Sequence, residues 1–176
     1  MEFRRIVDVV ANGFKRIEEL DQAAKILSGF PRSIQFDEFS CGMHAMYNIL
    51  RYFGRSISKK RLKKQLRTNG YGTNLADIKR VLKRNRLVCR LNAYANIRVL
   101  RQAIDSGCPA LISTYDGEHW CVVYGYARGA IYVADSSLRK NWRCRIRTRE
   151  FLTQWDRWMM VVNRSRRPFD GWSTFV

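Results

Sequence analysis

The strongest constraint on the fold is a change of periodicity near residue 108. Before it, apolar residues recur at helical spacing. Met46, Ile49, Leu50 and Phe53 mark one face, and Leu75, Ile78 and Leu82 mark another. After it, the apolar runs at 109–115, 119–126, 130–135 and 159–162 are short, rich in Val, Ile and Tyr, and separated by turn residues. We therefore expect an α+β domain, its helical N-terminal half packed on an antiparallel sheet. Helices are expected over 42–53, 58–67, 74–85 and 97–106. A further helix is expected over the first 28 residues, ended by Ser28-Gly29-Phe30-Pro31. The helix at 58–67 has little to bury beyond Leu62 and Leu66. A length of 176 residues allows one domain with a substantial core, and not comfortably two.

Charge bears on partners rather than fold. Lys and Arg number 33 against 15 acidic residues, a formal net charge of +18. Fourteen of the basic side chains fall within 51–90 and ten within 139–167. Such a surplus attracts polyanions or acidic peptides. Trp120, Trp142, Trp155 and Trp158 among the arginines could stack on bases. The plainer reading is core aromatics beside a solvated basic face, with Lys59, Lys60, Arg61, Lys63 and Lys64 on a helix of few apolar positions. Nucleic-acid contact is therefore the weaker expectation, and attraction of an acidic peptide the stronger. The five cysteines are an odd number without a CxxC pair, which argues against a secreted disulfide scaffold and for a reducing, cytoplasmic setting. No apolar run approaches the roughly 18 residues of a membrane span, and the run from Ile6 to Val10 is broken by Asp8.

Two residues carry the chemistry. Cys41 stands just before the helix at 42–53, where free backbone N–H groups and the positive end of the helix dipole favour a thiolate. His119 opens a strand, and an imidazole beside the sulfur would form an ion pair able to attack carbonyls at neutral pH. Taken singly, a cysteine before a helix and a histidine on a strand are usually packing residues. A working base also needs a third group to fix its tautomer, and Asp135 qualifies only by register. A two-residue hairpin loop, Arg128-Gly129, would set Asp135 across from Val122, on the face away from His119. A three-residue loop from Ala127 would set it across from Cys121, the diagonal same-face neighbour of His119. Glycine in the last loop position favours three residues, so that register is expected. Gln35, six residues before Cys41, can add a side-chain amide to the backbone N–H of Cys41 as oxyanion donors. His44 forms Cys-x-x-His with Cys41, but no second pair completes a metal site; it reads as a packed helix residue, and neither metal nor cofactor is expected.

Gln35-Phe-Asp-Glu-Phe-Ser-Cys41-Gly-Met-His-Ala, Tyr71-Gly-Thr-Asn-Leu-Ala-Asp-Ile and Gly107-Cys-Pro-Ala-Leu-Ile resemble the bacteriocin-processing leader peptidases. So do His119-Trp-Cys-Val-Val-Tyr-Gly-Tyr, Ile131-Tyr-Val-Ala-Asp135 and Glu150-Phe-Leu-Thr-Gln-Trp155. These are papain-like cysteine peptidases, often the N-terminal domain of bacteriocin-exporting ABC transporters. The resemblance runs over about 33–162. It implies Cys41 as nucleophile, His119 as base, Asp135 as its orienter and Gln35 as oxyanion donor, with cleavage after Gly-Gly at the end of a leader. Tyr71 and Gly72 are then neighbours of the substrate pocket. Ser40 stands where many members carry an acidic residue, and Ser136 where proline is common. The expected organisation is an N-terminal helical extension over 1–30, a peptidase domain over 31–165 and a tail over 166–176, standing alone with any transporter a separate protein. The same thiol could alternatively pass its acyl group to an amine, or the fold could serve as a basic binding module without catalysis.

Overall fold

A computed structural model describes residues 24–31, 33–137 and 144–165. Among these, five helices pack on a seven-stranded antiparallel sheet. The strands are β1 Lys25–Ile26, β2 Val88–Asn92, β3 Ala110–Thr114, β4 His119–Ala127, β5 Ala130–Ala134, β6 Cys144–Arg147 and β7 Trp155–Asn163. The helices are α1 Cys41–Tyr52, α2 Lys59–Gln65, α3 Leu75–Arg84, α4 Ile97–Asp105 and α5 Thr148–Gln154. The sheet runs β2-β7-β3-β4-β5-β6, and β1 extends the β3 edge of β4. Four helices form close to where periodicity places them. Ser58, Asn74 and Asn96 cap α2, α3 and α4 by accepting the N–H of Arg61, Asp77 and Val99. As expected, α2 buries only Leu62, with Leu66 buried just beyond it.

The N-terminal helix requires correction. Residues 1–23 and 166–176 lie outside the described residues, but Lys25 and Ile26 form a strand, paired with Tyr126 and Gly125. The cause is length: β4 has nine residues and β3 pairs with only five of them. The remaining β4 edge has backbone groups to satisfy, and residues 25–27 satisfy them, Leu27 N–H donating to the Tyr124 carbonyl at 2.8 Å. Leu27 and Phe30 are buried in the common core, Phe30 stacked on Tyr124 at 5.1 Å. Three elements carried too weak a pattern to expect. Of the edge strands, β2 is half-buried over four of its five residues and β6 carries arginines at alternate positions, and α5 buries only Phe151. The last strand, β7, lies between β2 and β3, and its sheet pairing begins well before Met159.

The β4–β5 hairpin also departs from expectation. Its loop has two residues, with Ala127 opposite Ala130 and Gly129 at φ 65°. Taken alone, that register would turn Asp135 away from His119. Between Val123 and Gly125 the register shifts: Gly125 opposes Tyr132, Val123 opposes Val133, and Tyr124 is an extra residue on β4. This bulge restores the parity that a three-residue loop would have given. Beside it, β1 lies close enough that a Cβ on Gly125 would meet the Lys25 carbonyl oxygen at 2.9 Å and the Ile26 Cα at 3.0 Å. Gly125→Ala should therefore detach β1 and destabilise the fold by about 1–3 kcal/mol, the usual range for overpacking, as measured by urea unfolding.

Candidate active site

The fold brings Cys41, His119, Asp135 and Gln35 together. Cys41 is the first residue of α1 and is 5% exposed. The turn that delivers it is ordered by Asp37, whose carboxylate accepts the N–H groups of Phe39 at 3.2 Å and Ser40 at 2.7 Å. Facing it, Trp120 and Thr73 crowd Gly42, where a Cβ would lie 2.8 Å from the Thr73 Cβ and 3.0 Å from the Trp120 ring. Only glycine permits that approach, which seats the start of α1 against the start of β4.

His119 Nε2 lies 2.8 Å from Asp135 Oδ1, across the strand pair set by the bulge. Each ring nitrogen has one in-plane hydrogen-bonding direction. Asp135 occupies that of Nε2, which leaves Nδ1 for the thiol. Burial pushes the Cys41 thiol upward, but hydrogen bonds from His119 and the Trp120 amide and the His119 charge outweigh it, and its pKa falls below the ordinary value. Burial pulls the other way on His119; the hydrogen bond to Asp135, with those to Cys121 and Cys41, raises its pKa overall. Both shifts favour a thiolate–imidazolium pair. Asp135 is itself fixed, accepting the Ser137 N–H at 2.9 Å.

Gln35 is held by Ser136. The Ser136 hydroxyl donates to Gln35 Oε1 at 2.6 Å, and the Ser136 carbonyl accepts the Gln35 N–H at 2.9 Å. With its oxygen so fixed, the amide gives one hydrogen to the Asp37 carbonyl at 2.8 Å and retains the other. Ser136 thus does specific work where the resemblance leads one to expect proline, and the sequence alone gave no sign of it. Cys121 was also missed, although strand alternation places it on the same face as His119. It is buried with its sulfur within 4.8 Å of a His119 ring nitrogen, and burial pushes its thiol up.

The remaining expectations divide. His44 is buried with its Nδ1 2.5 Å from the Ser33 hydroxyl, and burial lowers its pKa to about 4, as befits a packed neutral histidine. Tyr71 is fully exposed on a turn closed by an Asn69–Gly72 bridge. A Cβ on Gly72 would lie 3.7 Å from the Phe39 carbonyl, so this turn abuts the loop before Cys41. Neither Tyr71 nor Gly72 lines the open cavity of about 530 Å³ beside His119. Trp155 is buried, and Trp120 packs edge to face on Trp158 at 5.2 Å; Trp142 lies outside the described residues. His119, Cys121 and Asp135 bring their ligand atoms within 4.8 Å of one another, a donor set suited to a thiophilic cation. Such an ion would displace the His119–Asp135 hydrogen bond.

A sequence profile of the Peptidase C39 family matches residues 30–167. The chain belongs to this family. It is a cysteine peptidase with the papain-like fold of that family. No protein of curated function matches it by sequence. Among solved structures it is similar to a double glycine motif protease from an AMS/PCAT transporter, crystallised with the leader peptide. The identity is 16% and the TM-score 0.63, over 80% of this chain and 98% of that one. It is also similar to the peptidase domain of Streptococcus ComA, a bifunctional ABC transporter, at 19% identity and TM-score 0.68 over 77% and 99% of the two chains. A C39-like peptidase from Bacillus anthracis matches at 16% identity and TM-score 0.67, over 82% and 99%. Among the described residues, no helix is long and apolar enough to cross a membrane, and Cys41, Cys89, Cys108 and Cys121 are free thiols.

The thiols of this C39 peptidase should separate by reactivity. In pH-dependent alkylation read by mass spectrometry, Cys41 should react first and at a pH below the ordinary thiol range. Cys108 and Cys121, pushed up by burial, should lag. In Asp135→Asn, loss of the bond that raises His119 should move the Cys41 midpoint upward; an unmoved midpoint would break the proposed coupling.

Proposed function

We propose that the protein cleaves a leader peptide after a Gly-Gly pair, with Cys41 as nucleophile, His119 as general base and acid, Asp135 as its orienter and Gln35 as oxyanion donor. The observation that carries this reading is the placement of His119. One ring nitrogen is committed to Asp135, and the thiol it assists stands at a helix start. The Cys41 thiolate attacks the carbonyl carbon of the scissile bond. The oxyanion then accepts hydrogen bonds from the second Gln35 amide hydrogen and the Cys41 backbone N–H. Collapse breaks the C–N bond as His119 delivers its proton to the departing amine, leaving a thioester on Cys41. Water, deprotonated by His119, attacks the thioester and releases the acid. A reducing, cytoplasmic setting suits a reaction that needs a free thiolate.

Support for the Gly-Gly site comes from similarity to the double glycine motif protease. The exposed basic side chains Lys60, Arg61 and Lys64 on α2 would favour an acidic leader upstream of the cut. A transporter as a separate partner belongs to the same reading.

A synthetic peptide with a Gly-Gly junction tests the proposal. Mass spectrometry should find one cut after the second glycine and none with Cys41→Ala. Replacing that glycine by Val should lower kcat/KM by roughly 10–200-fold. An amide formed with an added amine in place of the free acid would instead identify a transferase. Gln35→Ala should lower kcat by roughly 10²–10³-fold. Ser136→Ala, acting only through Gln35, should cost about tenfold in kcat with KM little changed.

The pH profile follows from the direction of the two shifts. Activity needs the ion pair, so it rises with pH through the lowered Cys41 pKa and falls through the raised His119 pKa. Steady-state kcat/KM should show a broad plateau. Asp135→Asn should narrow it from both sides, the acid limb moving up and the alkaline limb moving down.

A further inference from the structure

The open cavity beside His119 has a wall at odds with the rest of the molecule. It is lined by Gln35, Phe36, Asp37, Glu38, Tyr115, Glu118, His119 and Ser137. Three of these are carboxylates, and no Lys or Arg among the described residues lines it, in a chain with 33 basic and 15 acidic side chains. Asp37 is committed to the turn before Cys41 and lies 3.7 Å from the Lys63 ammonium. Glu38 and Glu118 form no ion pair among the described residues and are exposed. Phe36 is 85% exposed and Tyr115 44%, which sets two aromatic surfaces beside the carboxylates.

This wall is rigidly presented. Tyr115 and Asp116 both adopt left-handed backbone, at φ 58° and 56°, a conformation costly for non-glycine residues. The Asp156 carboxylate holds the turn by accepting the N–H groups of Asp116 at 3.0 Å and Gly117 at 2.9 Å. On the other side, the Gln35–Ser136 bonds fix the start of the Phe36–Glu38 segment.

Chemistry decides which part of a substrate meets the cavity. His119 must hand its proton to the departing amine, so the chain beyond the cut leaves across His119. The cavity includes His119 and Gln35 but neither Cys41 nor Gly72. We propose that this cavity binds the first residues after the scissile bond and selects a lysine or arginine there. Glu38 and Glu118 meet the cation while Phe36 and Tyr115 cover its aliphatic stem. The newly freed α-amino group, also a cation, is favoured by the same field. The inference rests on the peptidase reading above and adds to it the charge of the product segment.

Two measurements keep the inference separable from that reading. Three Gly-Gly peptides differing only in Lys, Ala or Glu at the first two positions after the cut are compared by kcat/KM. Lys should exceed Glu by about tenfold, consistent with two weak exposed ion pairs, and the preference should disappear in Glu38→Gln/Glu118→Gln and shrink with added salt. Equal rates for the three overturn the inference while leaving the Gly-Gly reading intact. If none is cleaved, the Gly-Gly reading fails and the second measurement decides. Cys41→Ala protein is titrated with free hexapeptides beginning Lys-Lys or Glu-Glu, followed by chemical-shift changes at Gln35, Phe36 and Glu118. Long-range attraction to a +18 chain favours the acidic peptide. Tighter binding of the basic one at these residues, lost in the Glu38→Gln/Glu118→Gln background, supports the inference. Binding that is equal or favours the acidic peptide overturns it.

Discussion

Side chains alternate along a strand, so the hydrogen bond between His119 and Asp135 exists only because β4 carries one residue more than β5 between their turn and the site. Tyr124 is that residue. From outside the hairpin Phe30 stacks on its ring and Leu27 N–H donates to its carbonyl, while within the hairpin Tyr132 meets it edge-on. The short β1 pairing is thus part of what sets the register of the site. A loss of parity at Tyr124 would carry Asp135 to the opposite face and leave His119 with neither a fixed tautomer nor a raised pKa.

From that bond the remaining geometry follows in sequence. With Nε2 engaged by Asp135, Nδ1 is the nitrogen left for the thiol, and the His119 hydrogen bond and charge lower the Cys41 pKa despite its burial. The oxyanion side is tied to the same strand end. Ser136 follows Asp135 and holds Gln35 through both its hydroxyl and its carbonyl. Two consecutive residues, Asp135 and Ser136, therefore hold His119 and Gln35 from the same strand end.

Much of this was legible in the sequence because its causes are local. The apolar spacing of α1 and α3 depends on neighbours within a turn or two. The site residues could be named because a thiol before a helix and a histidine opening a strand each imply a chemistry. The hairpin loop departs from expectation because a glycine at φ 65° suits either loop length, and what fixes the register is a bulge supported by Phe30 and Leu27, far away in the chain. The same holds for β1, whose two residues pair only because β4 outruns β3, and for β7, whose insertion between β2 and β3 leaves no local trace. Ser136 was hidden because a serine after a strand carries no pattern; its role appears only when the loop bearing Gln35 folds across it.

The net charge of +18 describes the surface and misdescribes the cleft. A uniform positive field would favour acidic chains everywhere, including the space into which the leaving amine must depart. Asp37, Glu38 and Glu118 set carboxylates around His119, and beyond a Debye length of roughly 8 Å at physiological salt the distant surface charges are largely screened. A substrate drawn in by its acidic portion would then be oriented by the opposite preference at the cut, since only one direction of the chain places its basic residues over His119. On the proposed reading, charge would act twice with opposite sign: at long range on association, and at short range on the direction in which the peptide lies across Cys41.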